Sequence, residues 1–156
     1  MYERLENLKV PQIMEYQQNR FPLLFVDVIT EAEPGKYAKG YKNFTYDEWF
    51  FPAHFVDEPN VPGFVQLEAL TQVFLMSFLT LPEYKGKKTG FVSNLCRYRK
   101  KIEPGQRLDI LAELKSFRRG LAKGRSIGYV DGEIACEADL AVAIPDIMAK
   151  YRPVMK

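Results

Sequence analysis

Apolar and polar residues alternate along two stretches of this chain and run together in a third. Leu108, Ile110, Ala112 and Leu114 interleave with Arg107, Asp109, Glu113 and Lys115. Further on, Ile134, Cys136, Ala138, Leu140 and Val142 interleave with Glu133, Glu137 and Asp139. A period of two with one polar face predicts antiparallel strands wetted on one side. Asp131-Gly132 is a two-residue hairpin signal, and Glu103-Pro104-Gly105 and Arg119-Gly120 mark further turns. Residues 23–32 are rich in β-branched and aromatic types and end at Glu33-Pro34-Gly35, so they predict a strand, with residues 36–46 returning beside it. Residues 9–18 predict a short helix entered through Pro11.

The unbroken apolar stretch lies between these groups. Over residues 63–80, apolar side chains from Phe64 to Leu79 occupy nearly every side of a helix. A helix of that kind is enclosed all round. Gln66, Glu68, Thr71, Gln72 and Ser77 interrupt it, which predicts a buried helix rather than a membrane span. With two strands before it and about four after, the simplest packing is α+β: an antiparallel sheet of about six strands wrapped around one long central helix. No linker or repeat divides residues 1–156, so one domain is expected, ending in a basic tail over 145–156.

Composition narrows the chemistry. A single histidine excludes zinc sites built on two or three imidazoles, and no metal is expected. Lys+Arg 22 against Asp+Glu 20 leaves +2, too near balance to indicate nucleic acid. Cys96 and Cys136 lack the spacing of a redox or metal pair, and the charged N-terminus lacks an apolar signal segment. A cytoplasmic protein without disulfides, and without a membrane anchor, is the expectation.

His54 and Glu68 stand out. His54 lies in the aromatic, proline-punctuated loop between Tyr46 and Pro62, and Glu68 is the only acid between Glu58 and Glu83. A carboxyl group inside an apolar helix should be poorly solvated, which suits it to donate a proton near neutrality. Gln72, four residues on, shares its face and can orient it. The unpaired N–H groups where Pro62-Gly63 opens the helix can stabilise charge on a substrate oxygen. Singly, each has an ordinary structural explanation: a packed histidine, a satisfied glutamate, a Pro-Gly turn. Together they supply a base, an acid and an anion-stabilising helix start, which favours proton-transfer chemistry.

Several long segments carry a resemblance. RFPLLFVD at 20–27, EPGK at 33–36, YKNFT at 41–45, FFPAHF at 50–55, VPGFVQLEALTQ at 61–72, RYRKKIEPGQRL at 97–108 and the run from Arg118 to Ile144 occur in this order. In these the chain resembles the short hotdog-type β-hydroxyacyl-[acyl-carrier-protein] dehydratases of bacterial fatty acid synthesis. The resemblance implies the hotdog fold and elimination of water from a 3-hydroxyacyl thioester. It implies His54 and Glu68 as the catalytic pair, Gly63 as the carbonyl-polarising N–H, Gln72 as the holder of Glu68, and Phe91 beside an acyl tunnel. It further implies a homodimer sharing its sites between subunits, with larger assemblies such as a trimer of dimers also compatible. No cofactor is implied, since the phosphopantetheine arm belongs to the substrate's acyl carrier protein. That acidic partner would be steered by Arg97, Arg99, Lys100 and Lys101, or by Arg118, Arg119, Lys123 and Arg125; either cluster is equally a solvated strand face.

The chain departs from the family pattern at Ala53, at Val56-Asp57 after the histidine, and at Gly90-Phe91, which suggests a divergent member. Two other readings stay open. One is a hotdog thioesterase; the other is a subunit that binds acyl thioesters without catalysis.

Overall fold

The computed structural model describes residues 1–154; the last two residues of the expected basic tail lie outside the described residues. In chain order the elements are β1 (Leu5–Lys9), α1 (Val10–Tyr16), β2 (Val28–Glu33), β3 (Tyr37–Phe44), α2 (Gly63–Leu79), β4 (Gly90–Tyr98), β5 (Gln106–Arg118), β6 (Leu121–Val130), β7 (Glu133–Ala143) and α3 (Pro145–Met148). The strands form one seven-stranded sheet in the order β1-β2-β3-β5-β6-β7-β4. Every pairing is antiparallel. Five strands of this sheet, β2, β3, β5, β6 and β7, pack on α2. This is the hotdog arrangement. Among the described residues no helix is long and apolar enough to cross a membrane.

The pairing of β6 with α2 is close. A methyl group added at Gly124 would come within 2.1 Å of the Glu113 carbonyl oxygen and 2.5 Å of the Phe74 ring. Only a residue without a side chain lets the sheet curve this tightly onto the helix. Beyond Ala69 the helix is buried through to Thr80, and Phe74 and Phe78 are fully enclosed. Each such phenylalanine contributes roughly 1.5–3 kcal/mol over its exposed state.

The enclosure stops short of the helix start. Phe64 is 59% exposed, and Leu67 and Glu68 are half-buried. These three lie at i, i+3 and i+4, so one face of the first turns projects outward and is only partly covered by its own chain. The expectation of a helix covered all round therefore holds for its later turns only.

Three other expectations are corrected. The sheet has a seventh strand, because β1 pairs with β2 and seats Leu5 and Leu8 against the core. The strand expected over 23–32 begins only at Val28. Before it, the Leu23 carbonyl and the Phe25 N–H bond the Gln72 side chain instead of a neighbouring strand. Ile134, expected on the buried face, is 41% exposed. The β6–β7 register slips between Gly128 and Tyr129, leaving Ala135 as an extra residue whose side chain is buried. The freed Ala135 carbonyl accepts from Arg99 N–H at 2.7 Å and Lys100 N–H at 3.1 Å, and so fixes the basic run after β4.

The tail expected over 145–156 is folded through residue 151. Ile144 N–H donates to the Gly120 carbonyl at 2.7 Å, and the Arg119 guanidinium lies 5.6 Å from the Tyr151 ring centre. These contacts dock α3 on the β5–β6 turn.

Candidate active site

An aromatic cluster supports the loop that carries His54. Phe25, Phe44, Phe50 and Phe51 are all buried, and Phe50 meets each of the other three with ring centres 4.9 to 6.1 Å apart. Lys42, on β3, ties the loop down with an ion pair to Glu48 at 2.7 Å and a longer one to Asp27 at 3.4 Å. Trp49 Nε1 donates to the Pro22 carbonyl at 3.2 Å. The far end is tied to the β4–β5 connection, where Val61 N–H donates to the Ile102 carbonyl at 2.8 Å. Both ends of the loop are therefore fixed, and His54 stands on a supported turn.

His54 Nδ1 lies 3.0 Å from the Asn60 carbonyl oxygen. A carbonyl can only accept, so Nδ1 carries the hydrogen and the neutral ring keeps its lone pair on Nε2. The next residue, Phe55, has φ of 55°, a region costly for a bulky side chain. Its ring lies 4.4 Å from that of His54. Of the acids following the histidine, Glu58 is turned away onto Lys101.

Glu68 is held by amides. Gln72 Nε2 donates to Glu68 Oε1 at 2.9 Å, and Asn19 Nδ2 donates to the same oxygen at 3.3 Å. Gln72 is fully buried and cannot be turned round. Its Oε1 accepts from Phe25 N–H at 2.6 Å and its Nε2 also donates to the Leu23 carbonyl at 2.7 Å. An N–H must donate and a C=O must accept, so both ends of the amide are assigned by the backbone. The expected link from Gln72 to Glu68 is therefore present. Glu68 itself is half-buried and not enclosed in apolar surroundings, because the helix face that bears it is open.

The start of α2 offers free donors. Its N-cap, Pro62, gives no side-chain cap, and the Gly63 and Phe64 N–H groups meet no acceptor among the described residues. The Tyr98 ring covers this end: a methyl group added at Gly63 would lie 3.1 Å from its Cζ. Beside it opens a cavity of about 400 Å³ lined by Asn60, Gly63, Gln66, Tyr98 and the run Arg99–Lys101. The pattern along β4 gave no reason to single out Tyr98, and 49 residues separate Asn19 from Glu68, so sequence spacing could not find either.

The two basic clusters meet only at Arg125, which shares the Glu137 carboxylate with Arg99; Arg118 and Arg119 lie apart from the first cluster. Arg97 to Lys101 flank the start of α2, through Tyr98 and Gly63. Arg118 and Arg119 follow Phe117, whose ring packs 5.3 Å from that of Phe78 near the other end. A helix rising about 1.5 Å per residue separates Gly63 from Phe78 by roughly 23 Å. Within the first cluster, Arg99 pairs with Glu137, Lys100 with Glu133 and Lys101 with Glu58, while Arg97 has no acidic partner among the described residues. Phe91 stands 44% exposed on β4, opposite Val142.

Within one chain His54 and Glu68 make no hydrogen bond or ion pair with each other. What the chain supplies is half of a site on each of two open faces. One carries a histidine with a free Nε2, and the other carries a carboxyl group with a free Oε2 and N–H donors nearby. β4 is an edge strand, paired only with β7, and bears the exposed Phe91, Val92, Leu95 and Tyr98. A nine-residue edge strand bearing four exposed apolar side chains is a surface for pairing.

Comparison with known proteins places this arrangement. Residues 18–139 match the FabA-like domain family. Over 138 residues, 88% of this chain, the sequence is 41% identical to the 3-hydroxyacyl-[acyl-carrier-protein] dehydratase FabZ of Bacillus licheniformis, covering 96% of that protein. It is 40% identical to the FabZ of Clostridium novyi over 88% of this chain and 97% of the relative. Among solved structures, the dehydratase heterocomplex ApeI:P from Xenorhabdus doucetiae has a chain that superposes with a TM-score of 0.73 over 89% of this chain and 95% of that one, at 14% identity. The uncharacterized protein PH1136 from Pyrococcus horikoshii superposes with a TM-score of 0.65, at 13% identity, over 83% of this chain and 91% of that one. At such identities these two structures bear on the fold alone.

Proposed function

The chain belongs to the FabA-like family, and we propose that within it the protein is a 3-hydroxyacyl-[acyl-carrier-protein] dehydratase, a hydro-lyase that forms a trans-2-enoyl thioester. The observation that carries the mechanism is the pair of free atoms, Nε2 of His54 and Oε2 of Glu68, each fixed from behind by hydrogen bonds on its other atom.

His54 Nε2 takes the proton from C2 of the thioester. The Gly63 N–H and the positive end of α2 receive the thioester carbonyl oxygen and stabilise the enolate character that develops there. Electrons then form the C2–C3 double bond as the C3–O bond breaks, and Glu68 Oε2 gives its proton to the departing hydroxyl. Water leaves. Histidine ends one proton richer and glutamate one poorer, and exchange with solvent restores both. No step calls for a metal or a resident cofactor.

The two groups come together between copies of the chain. The outward face of Phe64, Leu67 and Glu68 and the free edge of β4 are the surfaces a second copy would cover, giving a homodimer with two shared sites. The acyl carrier protein is the proposed carrier of the substrate. Its pantetheine arm enters through the cavity at the start of α2, whose rim carries Arg99, Lys100 and Lys101 for an acidic partner. Phe91, on the same edge strand, lies where the acyl tail is covered once two copies pair.

The test is hydration of enoyl thioesters followed by loss of enoyl absorbance, on carrier-protein and coenzyme A forms of several chain lengths. Reversible hydration is expected. Release of free thiol without that change would mark a thioesterase, and binding with neither change a non-catalytic subunit; both contradict the proposal.

A further inference from the structure

Glu68 carries a second amide besides that of Gln72, and it comes from a segment outside the helix. Asn19 follows α1, and its Nδ2 shares Glu68 Oε1 with Gln72 Nε2 at 3.3 and 2.9 Å. Two N–H donors converging on one oxygen exclude a proton from it, since an O–H there would point at N–H groups. The proton belongs on Oε2, which has no partner among the described residues. Resting on the dehydratase reading above, we infer that Asn19 is a positioning residue: with Gln72 it selects the carboxyl oxygen presented to the substrate hydroxyl.

The segment is built to hold Asn19 there. On one side of it, Gln17 Nε2 donates to the Gln72 carbonyl at 3.2 Å. On the other, Leu23 and Phe25 clasp the Gln72 side chain. Between these anchors the Arg20 guanidinium donates to the carbonyls of Met14, Gln17 and Asn19 at 2.7 to 2.9 Å, taking up acceptors left open where α1 ends. Arg20 is thereby turned onto backbone and not onto the carboxyl group. α2 bears no other charged residue, and His54 makes no hydrogen bond or ion pair with Glu68 in the same chain. The groups that hydrogen-bond the Glu68 carboxyl among the described residues are therefore neutral amides, and a donor lost or a charge gained at position 19 acts on it directly.

The test uses the full-length protein, with Asn19→Ala and Asn19→Asp measured for kcat, KM and the pH profile of turnover, and with Tm as a check on folding. An N–H donor stabilises the ionised carboxyl group, so removing it keeps the proton bound to higher pH. The alkaline limb of kcat should move upward in both variants, further in Asn19→Asp, where one carboxylate faces another. Near neutrality kcat should fall about tenfold with KM little changed, the effect of one hydrogen bond to a charged group. Turnover within twofold of the parent and an unmoved limb would overturn the inference, and so would a fall in kcat with an unmoved limb, which marks a structural role only. Glu68→Gln, run alongside, separates the two claims. If it is inactive while the Asn19 variants are silent, only the inference fails; if it retains near-parental turnover, or the parent shows none, the dehydratase reading fails and takes the inference with it.

Discussion

The side-chain amide of Gln72 is locked against Glu68 at 2.9 Å by a backbone N–H from Phe25 on one end and the Leu23 carbonyl on the other. Replacing Gln72 with Leu keeps the volume but leaves the buried Phe25 N–H unpaired and frees the carboxyl group to rotate. The expected loss is about 2 kcal/mol, or roughly 4 to 8 °C in Tm, read by calorimetry. Turnover should fall by more than the loss of folded protein explains.

Lys42 is the second anchor. Its side chain is 9% exposed and neutralises Glu48 and Asp27 at the root of the loop that carries His54. Lys42→Met retains the stem and strands two partly solvated carboxylates, which should cost about 2 kcal/mol in a denaturant titration. Turnover should fall with it, because the loop that aims the imidazole is no longer tied to β3.

Gly124 tests the close approach of sheet and helix. An alanine there meets a backbone oxygen that cannot swing aside. Gly124→Ala should lower stability by about 2 to 3 kcal/mol, seen as a lower urea midpoint with little change in slope.

The cysteines give a pH-dependent signature. Burial pushes the Cys136 thiol up to about 12, and the same cause raises that of half-buried Cys96. A raised thiol value means the nucleophilic thiolate is scarce at neutral pH and appears only in strong alkali. Native protein treated with iodoacetamide at pH 8 should leave Cys136 unmodified by mass spectrometry, while denatured protein takes up two groups. Rapid labelling of Cys136 in the native state would contradict this placement.

Much of this was legible in the sequence, for reasons that differ by element. β5 was clear because a strand wetted on one face writes its burial as strict alternation, and Leu108, Ile110 and Ala112 are all buried. The helix was clear because apolar residues crowd it. β1 was hidden, since LENLK carries the charge of an exposed edge and pairs on one side only. Ile134 misled because a single bulged residue reverses which side chain faces inward. His54, Glu68 and Gln72 were found through chemistry that spacing along one loop and one helix can express. Asn19 and Tyr98 reach the site through tertiary contacts, across 49 residues to Glu68 and 35 to Gly63, which no local pattern encodes. The runs Arg97–Lys101 and Arg118–Arg119 looked alike in the sequence and lie near opposite ends of α2 in the fold.

The sharing of sites between two copies is open to a direct measurement. His54→Ala and Glu68→Gln, each prepared alone, should lose at least about a hundredfold in turnover, as expected when a positioned base or acid is removed. Unfolding the two together in equal amounts and refolding them makes about half the dimers mixed, and each mixed dimer holds one site with both groups intact. The mixture should recover roughly a quarter of the parental activity. A mixture as inactive as its components, with mixed dimers demonstrated by mass, would contradict the account.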